Sequence, residues 1–161
     1  MIKRLVVLGV VCLALYLPVS AEIGPPTDIA ERARGAGQIV VAQIADVRAQ
    51  FATNQFGDQL IVSTAVLEVS ETLKGAAAKV IEIEVEGGTV GDLTLKVSDL
   101  PSLKRGERGV FFLDAGPGSA KRPHERGRGI LKLSDGDHVD QTSVTLADVR
   151  EQIRGALGGG R

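Results

Sequence analysis

Four stretches of this 161-residue chain carry residue types at spacings that could do chemistry. In "KVIEIEVEGG", Glu82 and Glu84 are two apart. On a strand they share a face with carboxylates roughly 7 Å apart, a separation within the range of glycosidase pairs. The same letters also describe a solvated strand face whose charges meet Thr94 and Lys96 across a ladder. "SDGDHVD" offers Asp135, Asp137, His138 and Asp140 as oxygen and nitrogen ligands. A calcium loop of the EF-hand type wants acids at positions one, three and five and glycine at six, whereas here Gly136 is second and Asp140 sixth. Asp-Gly turn chemistry explains those letters too, which leaves Asp135, Asp137 and Asp140 as a weak metal set.

"AGPGSAKRPHERGRG" concentrates Lys121, Arg122, His124, Arg126 and Arg128 against Glu125 alone. Its glycines and prolines predict an exposed loop, read either as a solvated hairpin tip or as a contact for an anionic partner. An acidic protein surface or a phosphate-rich envelope polymer would be held by charge-assisted hydrogen bonds from arginine. Gly118-Ser119-Ala120-Lys121 lacks the Walker spacing. "SDLPSLKRGERGVFFLD" crowds Lys104, Arg105, Glu107 and Arg108 around Gly106. We read it as a turn bracketed by Pro101 and Gly106, in which Glu107 offsets Arg105 and Arg108. Nucleophilic catalysis has little to work with: the histidines are His124 and His138, no Gly-x-Ser-x-Gly elbow occurs, and the one cysteine is Cys12.

Those residues must be positioned by a chain with a distinctive start. Lys3 and Arg4 precede an apolar run from Leu5 to Leu17, with Val19 and Ala21 placed as a signal peptidase requires. Cleavage after Ala21 would leave an exported protein, periplasmic or extracellular, without cysteine and with no membrane span. Removing Lys3 and Arg4 leaves 17 basic against 20 acidic residues, a net charge of about −3, which argues against nucleic acid as a partner. Without Tyr16, the aromatics are Phe51, Phe56, Phe111 and Phe112, too few for stacking platforms. No cofactor is implied.

The elements follow from pattern. Residues 22–38 read as a linker, with Pro25 and Pro26, and a short helix, Asp28 to Arg34, capped by Thr27 and stopped by Gly35 and Gly37. "QIVVAQIADVRAQF" and "QLIVSTAVLEVSETL" flank "ATNQFGD" as a long hairpin with Phe51 and Phe56 near its tip. Ile81, Ile83 and Val85 alternate with glutamates, and Leu93, Leu95 and Val97 alternate with Thr94 and Lys96, predicting two further half-buried strands. "VFFL" is apolar on both faces, "GILKLSD" gives a last strand, and residues 145–157 form an amphipathic helix with a Thr145/Asp148 capping box and a Leu146, Val149, Ile153, Leu157 stripe. A tail, 158–161, closes the chain.

"VLEVSETLKG", "VEGGTVGDLTLKVSDLPSLKRGERGVFFL" and "GRGILKL" together resemble a family of exported bacterial proteins, mostly uncharacterised, that share a Leu-Lys-Gly strand end, a Gly-Gly pair and a Pro then Gly-Glu-Arg turn before a Phe-Leu strand. The chain is more remotely similar to the netrin-like OB barrels, which include the tissue inhibitors of metalloproteinases. The matching turn positions are Lys74, Gly75, Gly87, Gly88, Pro101, Gly106, Glu107 and Arg108. The resemblance implies a mainly β, OB-like barrel of five to six strands over residues 39–144, flanked by the two helices as one domain. It specifies fold and not chemistry. The inhibitors place an N-terminal cysteine on the protease zinc, and no cysteine follows Cys12, so that mechanism does not transfer. The expectation is a non-enzymatic exported binding module contacting an unknown protein or anionic polymer through Lys121 to Arg128. The alternatives are a protease-associated or inhibitor-like module and, last, a small hydrolase.

Overall fold

The computed structural model describes residues 28–54 and 56–158, so the expected signal segment 1–21 and the expected Thr27 cap lie outside the described residues. The β-branched alternation of the first two strands gives β1 (Gln38–Thr53) and β2 (Gln59–Lys74), antiparallel from Thr53↔Gln59 to Ile39↔Lys74. Asn54 builds their turn, its side-chain oxygen accepting from the backbone N–H of Phe56 and Asp58, each at 2.9 Å. Register shifts at Ile39/Val40, Val41/Ala42 and Ile44/Asp46 bend β1, as closing a sheet into a barrel demands.

β3 (Val80–Glu86) adds to β2, with Glu84 opposite Thr64 and Glu82 opposite Val66. After it the chain leaves the barrel. Gly87 and Gly88 take φ of 102° and 134°, and a Cβ on Gly88 would fall 2.3 Å from Ser63 Oγ. The next two strands, β4 (Gly88–Val90) and β5 (Leu93–Leu95), therefore form a separate two-stranded arm. This corrects the expectation of a core strand through Leu93, Leu95 and Val97. Leu93 is exposed, and Thr94 meets Thr89, hydroxyl to hydroxyl at 2.9 Å, instead of facing the glutamates of β3.

The chain returns in β6 (Arg108–Ala115), antiparallel to β1 from Gln38↔Leu113 to Gln43↔Arg108. β7 (Lys121–Pro123) lies antiparallel to β6 and parallel to β3 at Ile83↔Lys121. The ring β1-β2-β3-β7-β6-β1 closes the OB-like barrel. β8 (Ile130–Leu133) runs along the same edge of β6 as β7, so the two are one barrel strand interrupted by residues 124–129.

β6 explains why "VFFL" is apolar throughout. Phe111 and Leu113 point into the barrel among Val40, Ile44, Leu67 and Ile83. Val110 and Phe112 point outward, where α1 (Ile29–Gly35) and α2 (Leu146–Gly158) cover them with Ile29, Ala33, Leu146, Val149 and Ile153. Losing either phenylalanine ring would cost about 3–5 kcal/mol.

Both helices are capped. The expected Thr27 cap is corrected: Asp28 is itself the N-cap of α1, its carboxylate accepting from Glu31 N–H at 3.1 Å, so the helix starts at Ile29. Lys74 at the end of β2 donates to the carbonyls of Ala33, Arg34 and Ala36 at 2.6–2.9 Å, satisfying the last turn of α1. At α2, Thr145 and Asp148 form the expected reciprocal box. The apolar stripe stops short of expectation: Leu157 is 39% exposed, and Ala156 packs on the core in its place.

Candidate functional site

The basic segment Lys121–Arg128 is ordered by its own charges. In place of the expected long loop, Lys121 and Arg122 stand in β7 and Arg126–Gly129 form a 3₁₀ turn. The reason is a set of internal partners. Arg126 holds Asp99 in a bidentate pair through its Nε and Nη2 groups, and Nη2 also reaches Glu86 at 3.3 Å. These hydrogen bonds, that to Asp99 foremost, push Arg126 above the usual arginine range and hold Asp99 below the usual carboxylate range. Arg128 pairs with Glu125 at 3.4 Å. His124 Nδ1 donates to Asp114 at 2.8 Å, and its backbone N–H donates to the Phe112 carbonyl at 2.8 Å.

Arg32 of α1, buried at 4% exposure, closes this set from beneath. Its guanidinium donates to the carbonyls of Arg128 and Asp28 and lies 5.6 Å above the Phe112 ring. Burial, and then the charge of Arg128, lower its pKa. The arginines thus fasten the barrel's interrupted strand to α1 and to the segment before β6.

Lys121 and Arg122 are the cations of this segment with no ion-pair partner among the described residues. Arg122 borders a cleft of about 370 Å³ that also receives Arg126, Glu84, Glu86, Asp114 and Glu125. Four carboxylates face two guanidiniums there, so the surroundings of Arg122 are acidic.

A larger cleft, about 730 Å³, opens beside it. It exists because β1 and β2 outrun the barrel. β1 pairs with β6 only through Gln43, and beyond the Ile44 contacts with Gly106 and Glu107 it pairs with β2 alone. The arm β4–β5 and the returning residues 97–104 fold across this overhang. Val47, Ala49, Ser63 and Val85 form the barrel wall, and Leu95, Val97, Leu100 and Leu103 face them.

Glu107 fixes the returning wall. Its carboxylate accepts from Lys132 Nζ at 2.8 and 2.9 Å and from Lys104 N–H at 2.8 Å, while the same ammonium donates to the Ser102 carbonyl at 2.6 Å. The expectation that Glu107 offsets Arg105 and Arg108 is corrected: Arg108 instead donates to Asp137 at 2.7 Å. Pro101 lines the cleft, and Gly106, at φ 88°, turns the chain into β6.

The remaining sequence candidates lie apart. Glu82 is exposed on the outer face of β3, whereas Glu84 borders the smaller cleft. Asp135 and Asp140 are exposed, Asp137 is engaged by Arg108, and among the described residues no group of three or more His, Cys, Asp or Glu side chains could hold a metal. No helix of the described residues is long and apolar enough to cross a membrane.

No protein-family model and no curated protein matches the chain. The larger cleft was not foreseen from sequence. Its signal was the Gly87-Gly88 pair followed by a strand too short for the barrel, which marks the chain's departure without saying where it goes.

Proposed function

We propose that this chain is an exported, non-enzymatic binding module that receives its ligand in the cleft between the barrel wall and residues 97–104. The observation that carries the reading is the cleft itself: about 730 Å³, within the size range of small-molecule sites, with apolar side chains on both walls. The one carboxylate among its described lining residues, Glu86, accepts from Arg126 at 3.3 Å. OB-like barrels commonly bind through one face and the adjoining loops. Export rests on the Lys3, Arg4 and Leu5–Leu17 pattern, and sequencing the N-terminus of secreted protein checks the cut after Ala21.

The test uses a neutral apolar dye, N-phenyl-1-naphthylamine. The protein should brighten the dye saturably. Ala49→Phe, filling the cleft from the barrel side, or Val97→Trp, filling it from the returning segment, should abolish that response at unchanged melting temperature. Equal brightening by both filled variants would overturn the reading.

A second reading rests on Lys121 and Arg122, which have no ion-pair partner among the described residues, although Arg122 stands among the carboxylates of the smaller cleft and Lys121 is the freer to meet an anionic partner. Salt-sensitive capture of polyphosphate that is lost in Lys121→Ser with Arg122→Ser would favour it. Persistence of capture would leave the cleft alone.

A further inference from the structure

The charges around the larger cleft are asymmetric, and that asymmetry points to a class of ligand. Eight of its wall residues are aliphatic or proline: Val47, Ala49, Val85 and Leu95 with Val97, Leu100, Pro101 and Leu103. Two exposed lysines, Lys96 and Lys104, line the same cleft from the returning segment and the stretch just before it. Among the described residues neither ammonium group has an ion-pair or hydrogen-bond partner, and the bonds of Lys104 are made by its backbone N–H and carbonyl. The acid lining the cleft, Glu86, is already bonded to Arg126, which is in turn bonded to Asp99. The rim therefore holds two uncommitted positive charges above an apolar interior. An uncharged ligand would leave them unused, and a cationic one would be repelled.

The lining narrows the class further. The cleft lies between residues of β1, β2 and β3 and the returning segment, and its described lining contributes no aromatic side chain. A flat ring system would find no stacking partner there, whereas an aliphatic chain meets aliphatic side chains on both walls.

Resting on the proposed role of this cleft, we infer that its ligand is a single-chain amphiphile with an anionic head group, the alkyl chain lying between Val85 and Leu103 and the head between Lys96 and Lys104. The head can be a carboxylate or a phosphate monoester, because two ammonium donors recognise either as a point charge.

Displacement of N-phenyl-1-naphthylamine from the wild-type chain tests the inference. Dodecanoate and dodecyl phosphate should displace the dye, and the ratio of their affinities identifies the preferred head. Dodecanol and dodecyltrimethylammonium should bind about tenfold more weakly or worse, and hexanoate should fail for want of chain length. Lys96→Ala with Lys104→Ala should weaken dodecanoate about tenfold while leaving dye uptake and dodecanol unchanged, and Lys96→Glu with Lys104→Glu should reverse the preference toward dodecyltrimethylammonium. Both lysines are exposed, so these variants are expected to fold. Equal displacement by the anionic, neutral and cationic chains, with dye uptake intact, would overturn the anionic head and leave the cleft reading standing. Dye uptake that survives both filled variants would instead overturn the cleft reading itself.

Discussion

His124 Nδ1 and Asp114 Oδ2 lie 2.8 Å apart, joining the first residue after β7 to the end of β6. The other oxygen of Asp114 accepts from the Gly37 N–H at 3.2 Å, so one carboxylate ties both strands to the entrance of β1. Burial works to raise the Asp114 pKa. It is outweighed by the His124 hydrogen bond, the Gly37 N–H and the nearby positive charges, and the net direction is down. A carboxylate with a depressed folded-state pKa contributes stability that is present above its unfolded pKa, near 3.9, and lost as pH falls through the lower folded value.

The first prediction follows from that sign. Above the ordinary carboxylate range Asp114 is ionised and its contribution is present, and it should fade as pH drops below about 4. Asp114→Asn should cost about 2 kcal/mol at pH 7 and flatten the acid limb of the stability curve. Denaturant melts of both proteins across pH 2–7 check this, and parallel acid limbs would refute it.

Glu107 and Lys132 supply the second. Both are more than two-thirds covered, and their ion pair carries the wall formed by residues 97–104. Glu107→Gln should lower stability by about 1.5–3 kcal/mol and speed amide exchange in that segment more than in β6. Hydrogen exchange with mass spectrometric readout resolves the two regions, and uniform acceleration would mean that the pair holds the barrel instead.

Gly88 supplies the third. An alanine there would be strained at φ 134° and would collide with Ser63 Oγ, so Gly88→Ala should cost well over 1 kcal/mol. Ser63→Gly, which also removes the hydroxyl bond to the Gly87 carbonyl, should relieve the collision but not the backbone strain, giving incomplete rescue in a double variant. Full rescue in thermal melts would show that the collision alone matters.

The fourth concerns α2. Thr145→Ala should cost about 1 kcal/mol through loss of the cap, and Ile153→Ala about 2–5 kcal/mol through an unfilled cavity. Leu157→Ser, at a residue 39% exposed, should fall within about 0.5 kcal/mol of the parent chain. Equilibrium unfolding ranks the three.

The strands that make the barrel were legible because each announces itself locally. β1 and β2 are β-branched runs either side of an Asn-Gly-Asp turn, and Val110–Leu113 is apolar on both faces because two cores meet there. The capping box of α2 was equally local. What failed was pairing. Leu93, Thr94 and Leu95 alternate as a barrel strand would, yet two glycines at positive φ send them into the arm, and nothing in their own letters reports that departure. The basic segment misled for a related reason: Asp99, Glu86 and Asp114, which absorb its charges, lie 10 to 40 residues away in sequence. The cleft was invisible because it belongs to no single element.

The ring of strands has a kinetic side. β1 and β2 are neighbours in sequence, and a hairpin of this kind forms within about microseconds. Closure, by contrast, must bring Gln38 beside Leu113 and Ile83 beside Lys121, contacts between distant points of the chain that are slow to find. Lys74, fastened to three carbonyls of α1, acts at that same seam and holds the entrance of β1 in place. Residues 97–104 precede the closing strand directly, so their wall takes its final position only when β6 docks. During folding the larger cleft therefore takes shape only once β6 docks, and until then the long hairpin presents an open edge that invites association with other chains.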